Sequence, residues 1–218
     1  MTSQRLPFKA ILFDMDGVLV DSNPAIEASW QLWAGKHGLD FAEVKARIHG
    51  RKAVEVVRHF LPGADIEAVW AELIEQEMAS AHLTIPIPGI ATILSALQRE
   101  EWAVVTSAPL ELAQARMTAA GHPQPVAWVT ARDVERGKPA PDGFLMGAEK
   151  LGVAPADCLV IEDAGPGIAA ARAAGMRAIY IHAQSETPAG TTAHITGHDQ
   201  LSIERDASGA ATLRVAIR

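Results

Sequence analysis

Residues 10–22 read AILFDMDGVLVDS. An apolar run stops abruptly at Asp14 and Asp16, one residue apart, and Gly17 follows at once. Two carboxylates beside the end of a buried strand repel each other and lose hydration, so something else in the fold must compensate them. The run itself, apolar on both strand faces, is what a parallel sheet covered on both sides requires. Runs of the same kind are FKAILFD (8–14), WAVVTS (102–107), CLVIED (158–163) and MRAIYIHA (176–183), with a weaker one in AWVTA (127–131). Helical patterns separate them: GIATILSALQREE, LELAQARMTAAG, PDGFLMGAEKLG and GPGIAAARAAG. Strands alternating with helices predict an α/β fold with a parallel, Rossmann-like sheet. Gly121, Gly152 and Gly175 are placed to end helices in the left-handed conformation.

The stretch from Asn23 to Thr84 breaks the alternation. It contains no convincing strand, while Ile26, Trp30 and Trp33, and then Ile66, Val69, Trp70, Leu73 and Ile74, repeat at helical spacing. So long a helical block exceeds an ordinary crossover and predicts an inserted α-helical domain over 21–84, with the sheet domain formed by 1–20 and 85–218. The prolines and glycine of LTIPIPG make a stiff return to the sheet. At the other end, SIERDASGAATLRVAI alternates around DASGA and predicts a C-terminal β-hairpin. Disorder is expected only in the first few residues.

The chain has 218 residues, is 49% hydrophobic and 21% charged, and carries a formal charge of −7. That balance argues against nucleic acid or an anionic membrane as the main partner, since either asks for a basic face. It leaves room for an anionic small molecule bound by a few local cations. The single cysteine, Cys158, sits in an apolar run and is expected to be a small buried hydrophobe. MTSQRLPFKA lacks the apolar stretch of a signal peptide, and no run reaches the ~18 apolar residues of a membrane span. A cytoplasmic protein without a membrane is expected, a monomer, with a dimer left open.

Ligands of a parallel sheet lie beyond the carboxyl ends of its strands. Those ends carry Asp14 and Asp16, Thr106 and Ser107, and Glu162 and Asp163, with Lys138 shortly after the weak strand. Taken singly each is ordinary: a turn, a local hydrogen-bonding pair, a loop carboxylate, a solvated lysine. Together they make chemical sense. Clustered carboxylates with no histidine or cysteine suit a hard cation such as Mg²⁺. A lysine and a hydroxyl can hold phosphoryl oxygens, and of two carboxylates one can attack phosphorus while the other moves a proton.

The fragments DMDGVLVDS, VVTSA, RGKPAPDGF and VIEDAGPGIAAARAAGM resemble, in this order, the four motifs of the haloacid dehalogenase (HAD) superfamily of phosphatases and phosphomutases. The resemblance spans Phe8 to about Ile181. It implies a HAD core with a type-one helical cap that closes over the site. It also implies that Asp14 attacks phosphorus and Asp16 is the acid/base, while Thr106, with Ser107 beside it, and Lys138 bind phosphate. Mg²⁺ would be held by Asp14, the Asp16 carbonyl and Asp163, with Glu162 direct or through water. ARIHGRKAVEVVRHFLPG is similar to the sugar, polyol and glycerol phosphate phosphatase branch, which makes His49, Arg51 and Lys52 candidate substrate contacts in the cap. The expected enzyme is a Mg²⁺-dependent phosphatase of a small phosphorylated molecule. One departure stands out: most phosphatases of the family have threonine where this chain has Val18, and valine also occurs in the β-phosphoglucomutase branch, so a sugar phosphomutase is the alternative. Extra cations for a bisphosphate would come from Lys45, Arg47, Arg51, Lys52 and Arg58.

Other readings fit less well. A receiver domain shares the residue types but places its acidic pair first and has no helical insert. The G-x-G-x-x-A pattern at Gly165–Ala170 follows Glu162 and Asp163, which would repel a pyrophosphate. His194 and His198 have metal-like spacing, but Gly197 and the β-branched residues between them argue against a shared helical face. His59, His82 and His122 offer no paired ligands.

Overall fold

The computed structural model describes residues 2–48, 53–183 and 186–217. In chain order its strands are β1 (Thr2–Phe8), β2 (Ala10–Phe13), β3 (Val20–Asp21), β4 (Ile85–Pro86), β5 (Trp102–Val105), β6 (Ala127–Val129), β7 (Cys158–Glu162), β8 (Arg177–Ile181), β9 (Ala193–Ile195), β10 (Leu201–Arg205) and β11 (Ala211–Ile217). Its α-helices are α1 (Asn23–Lys36), α2 (Phe41–Ile48), α3 (Ala53–Phe60), α4 (Ile66–Ser80), α5 (Ile90–Ala96), α6 (Leu110–Ala119), α7 (Asp142–Leu151) and α8 (Gly165–Ala173). The chain divides into two compact units, one of Met1–Asp21 with Pro86–Arg218, the other of Ser22–Ile85.

The first unit is built on a six-stranded sheet in the order β6-β5-β2-β7-β8-β9, parallel throughout. Side chains alternate between its faces. Ile11 and Phe13 enter one core with Val104, Ile161 and the α5 residues Ile90 and Ile93. Ala10 and Leu12 enter the other with Val160, Phe144 of α7 and Ile168 of α8. Each large side chain so buried contributes roughly 1.5–3 kcal/mol. Register then fixes the site. Phe13 pairs with Val104 on one side and Ile161 on the other, so the next residue along β2, Asp14, comes level with the last residues of β5 and β7. The Asp14 N–H donates to the Ile161 carbonyl at 3.0 Å and the Thr106 N–H to the Val129 carbonyl at 2.9 Å, which extends both ladders to the carboxyl edge of the sheet.

The terminal hairpin is present. Asp206 closes it by accepting from the Ser208 and Ala210 N–H groups at 2.8 and 3.1 Å. Gly121, Gly152 and Gly175 all have the positive φ of helix ends. Two features differ from expectation. Residues from Thr2 on are ordered as β1, which pairs antiparallel with β11 over seven residues and makes the hairpin a three-stranded sheet. TSQRLPF has too few apolar residues to announce a strand. Burial of Leu6 and Phe8 against Leu213 and Val215 supplies what local propensity lacks, and Pro7 is tolerated because β1 is an edge strand. β9, with three residues, is too short to show a period in the sequence.

The second unit is helical. Trp30 and Trp33 of α1 meet edge-to-face at 5.2 Å and share a core with Val44, Val56, Val57, Val69 and Leu73. Asp65 caps α4 by accepting from the Glu67 and Ala68 N–H groups at 3.0 and 3.3 Å. Trp70, although in phase with the α4 stripe, lies at its margin and is 45% exposed.

Cys158 is fully buried, and burial, the largest cause, pushes its thiol up to about 11. The native protein should therefore give no thiol colour with a disulfide reagent at pH 8, and one thiol per chain after unfolding in guanidinium. Rapid reaction of the folded protein would contradict this burial.

Candidate active site

Asp14, Asp16, Thr106, Ser107, Lys138, Glu162 and Asp163 line one cleft of about 350 Å³ with Ala164, Pro166 and Gly167. Every core residue singled out in the sequence thus reaches the same space. Lys138, on the loop between β6 and α7, joins two of the carboxylates: its Nζ donates to Asp14 Oδ1 at 2.5 Å and to Glu162 Oε1 at 2.6 Å. The ammonium also lies 5.2 Å from the centre of the Phe144 ring. Burial alone would lower its pKa, but the two carboxylates outweigh burial and raise it, so the lysine is a fixed cation.

Glu162 is 1% exposed and committed at both oxygens, since Oε2 accepts from the Ala164 N–H at 2.9 Å. Its side chain fills the space beside Gly167, where a Cβ would stand 1.8 Å from Oε1. Asp14, Glu162 and Asp163 each offer an oxygen within 4.8 Å of one another. Three carboxylates around one ammonium leave an excess of negative charge in a desolvated place. Burial raises the Asp14 pKa, with Lys138 opposing it. Burial also pushes Asp163 up to about 7, helped by the charges of Asp14 and Glu162. Hard oxygen donors short of positive charge are what a small divalent cation satisfies, and these residues fit Mg²⁺.

Gly17 has φ +78°, and a Cβ there would lie 2.0 Å from Asp163 Oδ2. A side chain at this position would both strain the turn and displace the acidic residue. Thr106 is buried, and its Oγ1 accepts from the Ala108 N–H at 3.1 Å, leaving the hydroxyl proton to donate. The local hydrogen bond and a phosphate-binding role are therefore compatible.

Three further residues hold the Asp14–Asp21 turn, and no motif in the sequence announces this role. Arg116 Nη1 donates to both oxygens of Asp16, at 3.0 and 3.2 Å. His122 and His198, set aside as metal ligands, instead bind the carbonyls of Leu19 (3.0 Å) and Val18 (2.7 Å). A readable signal existed for Arg116: Leu112, Ala113 and Met117 define the inner face of α6, and position 116 falls on it. In the helical unit, His49, Arg51 and Lys52 lie outside the described residues. Lys45 is paired with Glu27 at 2.7 Å.

Fold and cleft together define the class: an α/β protein with an acidic cleft at the carboxyl edge of a parallel sheet. More particularly, residues 8–175 match the model of the haloacid dehalogenase-like hydrolases, and the chain belongs to that family. It is 41% identical over 208 residues to hexitol phosphatase A of Escherichia coli (strain K12), covering 92% of this chain and 96% of that one. It is 34% identical over 195 residues to glycerol-1-phosphate phosphohydrolase 2 of Saccharomyces cerevisiae, covering 83% and 78%. Among solved structures, CbbY from Rhodobacter sphaeroides in complex with phosphate superposes with a TM-score of 0.75 at 24% identity, over 88% of this chain and 95% of that one. That likeness is one of fold.

Because the folded-state pKa of Asp163 is raised, its ionisation opposes folding. The penalty is absent below the unfolded value near 4, grows as pH rises and is complete above about 7. In EDTA, Asp163→Asn should match the wild type in Tm near pH 4 and exceed it by a few °C at pH 8. A difference that does not grow with pH contradicts the charge-crowding account.

Proposed function

We propose that this hydrolase is a Mg²⁺-dependent phosphatase of a small phosphate monoester, a sugar or polyol phosphate, working through an aspartyl-phosphate on Asp14. The observation that carries the reading is the placement of the Asp14 carboxylate: it ends a central strand, is fixed by Lys138, and shares its cleft with Asp16. The similarity to hexitol phosphatase A over nearly the whole chain supports the substrate class.

Asp14, Asp163 and the main-chain carbonyl of Asp16 would hold Mg²⁺, with Glu162 behind them; when bound, the cation neutralises phosphoryl oxygens. Asp14 forms a bond to phosphorus as the bond to the leaving alkoxide breaks, and Asp16 gives that oxygen its proton. Water then attacks the aspartyl-phosphate, Asp16 takes the water's proton, and phosphate leaves with Asp14 restored. Lys138 and the Thr106 hydroxyl hold the phosphoryl oxygens through both steps. Glu162, saturated by Lys138 and the Ala164 N–H, keeps the ammonium in place. The helical unit is assigned the part of the family's cap, which selects the substrate.

The mutase alternative rested on Val18. That side chain is wholly buried in the core and its carbonyl is bound by His198, so it presents nothing to a substrate. It favours neither reaction.

A phosphate-release screen over hexitol phosphates, glycerol phosphates, 2-deoxyglucose 6-phosphate and phosphoglycolate, with and without Mg²⁺, tests the proposal. Release from at least one of them only with the cation is expected. Conversion of β-glucose 1-phosphate to glucose 6-phosphate, with no phosphate released from any compound, would refute it. Asp14→Asn should lower turnover by about 10³-fold or more with the fold intact; retained turnover would mean a different nucleophile.

A further inference from the structure

α6 follows Thr106 and packs its inner face on the core, with Leu112, Ala113 and Met117 at 1% exposure or less. Arg116 occupies the same face and is itself 3% exposed. An arginine there is costly, because its charge must be desolvated and held in one rotamer; an apolar residue of similar length is often as stable or more so. Its guanidinium meets the carboxylate of Asp16, grasped at both oxygens by one nitrogen, Nη1. Asp16 is 33% exposed at its side chain, against 4% for Arg116. The cost of burial thus falls on the arginine, while the carboxylate stays one-third exposed and lines the cleft.

The backbone behind Asp16 is held in a comparable way. His198, 1% exposed, donates from Nε2 to the Val18 carbonyl at 2.7 Å. His122, 8% exposed, donates from Nε2 to the Leu19 carbonyl at 3.0 Å. A carbonyl only accepts, so each imidazole carries its proton on that nitrogen. Within the turn, the N–H groups of Val18, Leu19 and Val20 all point to the Met15 carbonyl at 2.8–3.2 Å. Asp16, Val18 and Leu19 are therefore held by three buried polar side chains from α6, the loop after it, and the segment before β10. Each of these is a polar group where the surrounding core is apolar.

We infer that Arg116 is a positioning residue that orients the Asp16 carboxylate toward the cleft, with His122 and His198 clamping the turn that carries it. The inference rests on the proposed acid/base role of Asp16. Misplacing such a group by about 1 Å can cost on the order of 10²-fold in rate, while the exposed side of Asp16 lets water take over when the arginine is removed. Loss of the arginine should accordingly be felt in turnover more than in stability.

The test uses the full chain with Mg²⁺, assayed on glycerol 1-phosphate and p-nitrophenyl phosphate. Arg116→Met is expected to lower kcat by about 10- to 100-fold with KM changed less than threefold, and with Tm within a few °C of wild type. Added guanidinium should restore part of the loss, and Arg116→Lys should fall between. Combined with Asp16→Asn, Arg116→Met should cost nothing further, because its effect passes through the group already removed. An additive loss in the double variant, or a wild-type kcat in Arg116→Met while Asp16→Asn is dead, overturns the inference and leaves the acid/base assignment standing. Full turnover in Asp16→Asn instead refutes that assignment, and the positioning role with it. Should Arg116→Met fail to fold, Arg116→Lys and Arg116→Gln carry the same double-variant comparison.

Discussion

The contact on which the rest depends is the ammonium of Lys138 between Asp14 and Glu162. Carboxylates at the edge of a parallel sheet are desolvated by the same layers that make the sheet stable, and they cannot crowd together without positive charge. One lysine does not balance Asp14, Glu162 and Asp163. On the proposed function, that shortfall is what a divalent cation and, with it, an anionic substrate would answer. Several other choices follow from this one. Gly17 and Gly167 are small because Asp163 and Glu162 occupy the space a side chain would need. Glu162 gives up its freedom as a ligand to hold the lysine and a backbone N–H.

The sheet and most of the cleft were legible in the sequence because they follow from short-range rules. A doubly buried strand must be apolar throughout, so β2, β5, β7 and β8 announce themselves. Their ends then name the residues that meet, whatever the details of packing. The edge elements were less legible. β1 gains its strand from β11 across most of the chain length, and β9 is too short to carry a period. Trp70 shows the converse limit, being in phase with a buried stripe yet at its margin. Spacing says which face a residue shares, whereas the depth of that face is set by what packs on it.

Arg116, His122 and His198 mark a different boundary. Periodicity already puts position 116 on the inner face of α6, and an arginine there is a local inconsistency of the kind that accompanies function. Its partner, Asp16, lies 100 residues away in sequence. No local rule connects them. The same holds for the two imidazoles, whose carbonyl acceptors are 103 and 180 residues distant. Metal ligation is the use of histidine that carries a recognisable spacing. Bracing a turn has none.

On the proposed roles, the Asp-x-Asp pair also illustrates how one turn can give two carboxylates different tasks. Asp14 is 13% exposed at its side chain, desolvated, and held by a lysine. Asp16 is 33% exposed at its side chain and is held by a buried arginine. A nucleophile must stay fixed and ionised against a developing bond to phosphorus. A group that shuttles a proton needs contact with both the leaving oxygen and incoming water. Identical side chains one residue apart are thus separated by environment alone, and pairs of carboxylates in unlike surroundings are where acid/base roles divide. On the proposed assignment, the chain achieves this by anchoring the two with different cations from different loops and helices. The same assignment leaves substrate choice to the helical unit, because the core groups would contact only what all phosphate monoesters share.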